Sequence, residues 1–563
     1  MSISSEPLWH PLPRFHLKAP YGWLNDPCGP GYDALSGTFH LFYQWNPKSC
    51  DWGDITWGHF TSKDGLRWTH NGSDPVFKPD MPYDKDGVFT GCLYPTGPGG
   101  EPDRLTIIYS SICYLPIHWS KPYKRNCAGL SAAVSEDGGH TWHKVESNPI
   151  LAGEPEGLVM TGFRDPYLAE WPAMDNARGV EKKSLYGVVS GGVRDKGPAV
   201  FLYAAQPDNI LSWEYLGPLI DFSIRESPSG RWGGDYGVNW ECANFMTLAD
   251  GDVECQFMTL GSEGGLAKGK SIEDQDPHVG WCMWMAGTIA KEENGAKFIH
   301  DFSGILDHGC FYAPSSYSHQ GTRVVWGWLK EEDLTLAERE SKGWTGYLSL
   351  PRELFLLRIP HVVGALKSPL EDIKSFKAVK TPGESAFTMQ TLGIRPLSQL
   401  TTLRHSAPRE WTNIRSAKGT NTEHLANAIN WELEAIIDIG ADYARIGFHV
   451  QHNKDMSQKT SIFFDPATEE IIVDRTCSNT SPDVRKDIIR GPFTLFTLQG
   501  PGEAERVEKL RLRIFGDGDV IEIFANDRFA LSTMVYSHPS ECTGVSCYFE
   551  GSDTGSSGAA FDG

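Results

Sequence analysis

The chain lacks any apolar run approaching the roughly 18–20 residues that a helix needs to span a bilayer, so no helical membrane crossing is expected. It also lacks basic charge: 51 Lys and Arg stand against 72 Asp and Glu, a formal net charge of −21. That balance argues against nucleic acid or an anionic membrane surface as partner and leaves room for a neutral molecule such as a sugar. The 12 cysteines are scattered with no Cys-x-x-Cys pair, so the spacing of zinc and redox sites is missing. His59, His118, His140 and His308 show no ligand spacing. Glu273-Asp274-Gln275-Asp276 lacks the central glycine and terminal Glu of a calcium loop. No metal and no cofactor is expected. Residues 1–10 carry no basic start, apolar stretch or small-residue cleavage site. From this we expect a cytoplasmic location, with the cysteines kept as thiols. Two Asn-x-Ser/Thr triplets, Asn71-Gly72-Ser73 and Asn479-Thr480-Ser481, are near what chance supplies at this length.

What is present is turn chemistry and aromatic bulk. The chain has 563 residues, 59 glycines, 36 prolines and 19 tryptophans, with 40% hydrophobic and 12% aromatic residues. Such a composition favours an all-β architecture divided into two domains. A weak repeat combines a turn with a following Trp: Asp64-Gly65-Leu66-Arg67-Trp68, Asp137-Gly138-Gly139-His140-Thr141-Trp142 and Asp208-Asn209-Ile210-Leu211-Ser212-Trp213. Units of about 70 residues repeated five times would end near residue 355, which predicts a five-bladed β-propeller over 1–358. The segment 359–384, with Pro360, Pro369 and several lysines, reads as a linker. From 385 to 563 alternating runs return, among them Leu510–Phe515 and Val520–Phe524 around Gly516-Asp517-Gly518-Asp519, a hairpin signal. They predict a C-terminal β-sandwich, followed by a loose Gly- and Ser-rich tail from residue 551.

Three acidic motifs lie in the first half: Trp23-Leu24-Asn25-Asp26-Pro27, Arg164-Asp165-Pro166 and Trp240-Glu241-Cys242. A propeller delivers the inner strand of each blade to one axis, so carboxylates 139 and 76 residues apart can meet in one funnel. Glycosidic bonds are usually cleaved by a pair of carboxyl groups. In order and spacing the motifs resemble glycoside hydrolase family 32, the invertases, inulinases and fructosyltransferases. So do Phe42–Pro47, Trp57-Gly58-His59, Phe89-Thr90-Gly91-Cys92, Phe311-Tyr312-Ala313, Trp326-Gly327-Trp328 and Gly343–Gly346 with Leu350–Leu354.

The resemblance implies a retaining β-fructofuranosidase that cleaves sucrose through a covalent fructosyl-enzyme and passes fructose to water or to sucrose. Asp26 would be the nucleophile, Glu241 the acid/base and Asp165 the transition-state stabiliser. Asn25, Gln44, Trp52, Phe89, Thr90, Arg164 and Tyr312 would hold the sugar. Burial beside Trp240 and a neighbouring carboxylate is expected to raise the pKa of Glu241. Paired rims would make a homodimer. The first motif departs from the family with Cys28 where Asn is usual, and the third with Ala243 where Pro is usual. Both departures point toward transfer, and so to fructooligosaccharide synthesis. The alternatives are a plain invertase or inulinase-type hydrolase, an arabinan-type propeller glycosidase, or a non-catalytic sugar-binding protein.

Overall fold

The computed structural model describes residues 10–265, 280–292, 295–380, 383, 385–405, 408–415, 421–439, 443–551 and 560–562. The acidic stretch 273–276 lies outside them. Five sheets form radial blades. Blade I runs outward through Gly22–Asp33, Thr38–Asn46, Thr56–Ser62 and Trp68–His70. Blade II consists of Gly87–Tyr94, Leu105–Ile112, Ala128–Ser135 and His143–Lys144. Blade III consists of Met160–Glu170, Leu185–Val193, Gly197–Gln206 and Asn209–Asp221. Blade IV consists of Asn239–Asp250, Val253–Glu263, Gly280–Glu292 and Gly295–Asp307. Blade V begins with Phe311–His319 and Thr322–Leu329 and continues through Arg352–Ala365 to Phe387–Pro396.

The first strands of successive blades touch around a closed ring. Trp344–Thr345, which follows the second strand of blade V, closes it by running parallel to Gly22–Trp23 of blade I. The turn-plus-Trp repeat is the step from third to fourth strand in blades I to III. Asp64 Oδ1 accepts the N–H groups of Leu66 and Arg67, and Asp137 Oδ1 those of His140 and Thr141, which fixes each turn. The following tryptophans pack between strands or blades, Trp68 edge-on to Trp326 at 5.6 Å and Trp142 edge-on to Phe42 at 5.6 Å.

The expected boundary at 358 and the linker over 359–384 need correction. The third strand of blade V runs unbroken from Arg352 to Ala365 and pairs with Phe387–Pro396, so blade V extends to residue 396. Pro360 is accommodated by a bulge between Ile359 and Val362, where His361 takes φ 60°. Two of the four lysines that read as connector, Lys377 and Lys380, stand on Lys377–Lys380, an exposed edge strand, where charge blocks edge-to-edge association.

Two six-stranded sheets then stack as the sandwich. Ile437, Phe448, Ile462, Phe464, Leu512, Ile514, Ile523 and Leu531 fill the space between them. The segment expected to be loose returns in part as strand Ala560–Asp562, paired with Asn430–Asp438.

The sandwich is joined to the propeller by more than the chain. Its Phe496–Leu498 extends the blade V sheet along Val362–Ala365. Fully buried Arg352 of blade V donates to Asp307 at 2.9 Å, to Glu522 at 2.6 Å and to Ser532 at 2.6 Å. His16, on the approach to blade I, lies between Asp517 at 3.0 Å and Glu522 at 2.9 Å. The hairpin at Gly518 forms as the sequence predicts, but its Asp517 also accepts the backbone N–H groups of Arg14, Phe15 and His16. The hairpin tip is thus a clasp for the N-terminal segment.

Candidate active site

All five inner strands break register at one depth: between Leu24 and Pro27, Phe89 and Gly91, Arg164 and Tyr167, Glu241 and Asn244, and Tyr312 and Ser315. Such a bulge re-aims a side chain that the strand's alternation would otherwise direct sideways. In blades III, IV and V the bulged residue is left-handed and not glycine: Asp165 at φ 63°, Cys242 at φ 51° and Ala313 at φ 51°. This conformation costs about 1–2 kcal/mol per residue, and such strain collects where function requires it. Pro27, Pro166 and Pro314 follow the bulged positions in blades I, III and V, and Ala243 occupies that place in blade IV.

The bulges bring the predicted residues together. Asp26, half-buried, accepts from Thr90 Oγ1 at 2.5 Å, from Asn25 Nδ2 at 3.2 Å and from Gln44 Nε2 at 3.4 Å. Gln44 Nε2 also donates to Thr90 Oγ1 at 2.6 Å, and Asn25 Nδ2 to Gln44 Oε1 at 3.0 Å. The Cys242 thiol is 3.6 Å from both Asp26 Oδ2 and Asp165 Oδ2, and the Cys242 N–H donates to Asp165 at 3.2 Å. Buried Asp165 is further fixed by its own N–H, which donates to Ser110 Oγ at 2.7 Å.

Opposite this floor, Arg164 donates to Glu241 Oε1 from Nε at 3.0 Å and from Nη2 at 2.6 Å. Tyr312 donates to Glu241 Oε2 at 2.7 Å, and the Lys330 ammonium sits 4.7 Å above the Tyr312 ring. Gly162 leaves room for the guanidinium: a Cβ there would stand 2.6 Å from Arg164 Nη1 and 2.7 Å from Asn239 Oδ1. Trp52 is separate from this hydrogen-bonded group. It is 48% exposed at the rim, edge-on to buried Phe89 at 5.9 Å.

Three carboxylates therefore share one buried guanidinium, since Glu263 also meets Arg164 at 2.9 Å and Asp165 lies 3.9 Å from it, with Asp26 close beside them. Burial, and then repulsion by Glu241, pushes Asp26 up to about 6 against the hydrogen bonds it receives. Burial lifts Asp165 well above the usual carboxylate range; Arg164 opposes this, while Glu241 and Asp26 add to it. Burial and then Glu241 push Glu263 up to about 7.

Glu241 moves the other way. Burial pushes it up, but Arg164, Tyr312 and Lys330 together outweigh burial and hold it below its ordinary value. The expectation of a raised Glu241 is therefore corrected. Trp240, which was to supply the apolar wall, is fully buried beside Tyr236 and Phe222 and does not face the acid.

One further sequence reading changes. Cys28 does not open on the pocket: it is fully buried, with its thiol 3.4 Å from the Asp26 carbonyl, in a cluster with Phe42, Trp57 and Leu93. The triplet at Asn479 is committed to the fold, its side-chain amide donating to the Tyr536 carbonyl. The histidines weighed as ligands are packed or bonded: His59 stacks on Phe42 at 4.0 Å and His308 on Phe529 at 4.7 Å. Among the described residues no group of His, Cys, Asp and Glu is placed to hold a metal ion. All twelve cysteines are unpaired.

Glu263, Asn239, Ser110 and the Cys242 thiol were not singled out by the sequence. For Glu263 the only signal is an acid set among Gly261, Ser262, Gly264 and Gly265 where an apolar strand ends.

A propeller funnel whose facing carboxyl groups come from separate blades, with a guanidinium and aromatic side chains beside them, has the layout of an enzyme that breaks glycosidic bonds. Comparison with known proteins agrees. Residues 16–363 match the N-terminal domain of glycosyl hydrolases family 32 and residues 399–561 its C-terminal domain, and the chain belongs to this family. It is 25% identical over 547 residues to a fructan 1-exohydrolase of Triticum urartu, covering 93% of this chain and 82% of that one. Among solved structures it is similar to a β-fructofuranosidase of Aspergillus kawachii complexed with glycerol, at 27% identity and TM-score 0.86, covering 100% of this chain and 97% of that one. A fructosyltransferase from A. japonicus gives 26% identity and TM-score 0.87, covering 100% and 96%.

Proposed function

We propose that this family 32 glycoside hydrolase is a retaining β-fructofuranosidase that cleaves sucrose and hands the fructosyl unit to water or to a second sucrose. One observation carries the assignment of Asp26. Its carboxylate is aimed from the blade I bulge by donors on Asn25, Gln44 and Thr90, while the other acids face it from blades III and IV. In the first step an Asp26 oxygen bonds to the anomeric carbon as the glycosidic C–O bond breaks, and Glu241 gives its proton to the leaving glucosyl oxygen. In the second step Glu241 takes a proton from the incoming hydroxyl, whose oxygen displaces Asp26.

Asp165 holds fructose hydroxyls and offsets the developing positive charge. The coupled carboxylates share protons at rest, with Glu263 and Asp165 raised, so sugar binding has only to move one proton onto Glu241. Trp52 offers an exposed indole face at the rim for the second sugar. Ala243 after the bulged Cys242, and the likeness in fold to a fructosyltransferase, support the transfer reading.

The test is a time course of free glucose, free fructose and oligosaccharides from concentrated sucrose, with the wild type and Asp26→Ala. Glucose in excess of fructose, new trisaccharide and an inactive variant are expected. Equal glucose and fructose would make the protein a plain hydrolase, and an active Asp26→Ala would remove Asp26 as nucleophile.

A further inference from the structure

One nitrogen of Arg164 serves two carboxylates. Nη2 donates to Glu241 Oε1 at 2.6 Å and to Glu263 Oε2 at 2.9 Å, while Nη1 is buried without a partner. Glu263 is held in place. Asn239 Nδ2 donates to the same Oε2 at 2.7 Å, and Thr161 Oγ1 donates to Asn239 Oδ1 at 3.0 Å, which fixes the orientation of that amide. The backbone of Glu263 is clamped between Asn239 and Gly280 in the blade IV sheet. With both carboxylates clamped on Arg164, they draw on one positive charge.

A group that must donate a proton is poorly served by an undivided guanidinium, because two charge-assisted bonds favour its ionised form. When Glu263 is ionised, it takes part of the Arg164 charge and repels a second negative charge on Glu241, so a proton on Glu241 is favoured. When Glu263 is neutral, Arg164 belongs to Glu241 alone.

We propose that Glu263 is a positioning residue which, by sharing Arg164, determines the pH range in which Glu241 holds the proton it donates. This rests on the reading of Glu241 as the acid/base. Among the described residues, the other titratable or charged groups around the pair are Tyr312 and Lys330 from blade V, Asp165 from blade III, Asp26 from blade I and the Cys242 thiol beside Glu241. Asp235, whose carboxylate accepts the Gly237 N–H, and Arg225, which donates to the Gly264 carbonyl, flank the strand end that carries Glu263.

Glu263→Gln keeps the shape and the acceptor but removes the charge. Burial and Glu241 hold Glu263 at about 7, so below that the pair keeps one proton, which rests on Glu263 and passes to Glu241 as Glu263 ionises. Glu263→Gln removes this shared proton and leaves Arg164 to Glu241 alone, so the basic limb of kcat/KM on sucrose moves toward acid by about one unit or more. Activity should recover toward wild type at lower pH, and Glu263→Asp should return the limb part of the way. Single-turnover release of fluoride from fructosyl fluoride, a leaving group that needs no proton, should show no such acid shift of its basic limb. A basic limb that stays in place, or a KM raised equally at every pH, would overturn the proposal. Glu241→Gln separates it from the reading beneath: that variant should lose sucrose cleavage and keep single-turnover fluoride release. If it loses both alike, the acid/base assignment itself falls.

Discussion

Thr90 is the smallest handle on the proposed nucleophile. Its hydroxyl donates to Asp26 Oδ2 at 2.5 Å and accepts from Gln44 Nε2 at 2.6 Å, so Thr90→Val removes both bonds while keeping the shape. A hydrogen bond to a charged group contributes roughly 1.5–3 kcal/mol. One pKa unit corresponds to about 1.4 kcal/mol, so Asp26 should rise by about one to two units. It begins at about 6, where burial and then Glu241 already place it. A nucleophile must be ionised, so its activity lies above its pKa, and raising the pKa moves the acid limb of kcat/KM upward. Below about pH 6 the ionised fraction, and kcat/KM with it, should fall roughly ten- to a hundredfold, and most of the loss should be recovered in alkali. The assay is kcat/KM on sucrose across pH. An acid limb that stays put while kcat/KM drops equally at every pH would refute the argument and leave Thr90 as packing.

Two other perturbations follow from the same geometry. Gly162→Ala places a methyl 2.6 Å from Arg164 Nη1, so the guanidinium must shift; a large loss of activity with little change in Tm is expected, and an unaltered rate would show that Arg164 tolerates displacement. His16 is buried, and although burial opposes its charge, Asp517 and Glu522 outweigh it and hold the imidazolium with a pKa of about 9. A raised histidine stabilises fully below its unfolded pKa of about 6.5, and that stability is lost as pH rises through 9. His16→Gln should therefore lower stability by about 3 kcal/mol near pH 6 and much less above pH 9, read as Tm against pH. A Tm difference that does not vary with pH would mean that His16 contributes shape only.

The division between what was legible and what was not follows range of interaction. Asp26, Asp165 and Glu241 could be picked out because their motifs, taken together in order and spacing, resemble glycoside hydrolase family 32; singly, an Asp-Pro turn or an acid beside Arg is as readily structural. The turn-plus-Trp repeat was legible from local chemistry, since Asp64 and Asp137 bond to N–H groups three or four residues on. The end of the propeller was misplaced because Pro360 and the lysines look like connector. Only the pairing partner Phe387–Pro396 shows that a bulge absorbs the proline and that Lys377 and Lys380 guard an edge. The direction of the Glu241 shift was misread because its neighbours in sequence, Trp240 and Cys242, do not set it. Arg164, 77 positions away, and Tyr312, 71 positions away, do.

The sequence by itself determined the β architecture and the two-part organisation, because period, turn chemistry and residue type act over a few residues, and its motifs named three acids by resemblance. The tertiary structure alone decided which carboxylates share Arg164, that Glu263 is one of them, that Cys28 faces the core and that Asp517 clasps the N-terminal segment. These depend on the closure of a five-bladed ring and on charges brought within a few ångströms from distant strands. In a buried site such distances, more than identity, set where a proton resides.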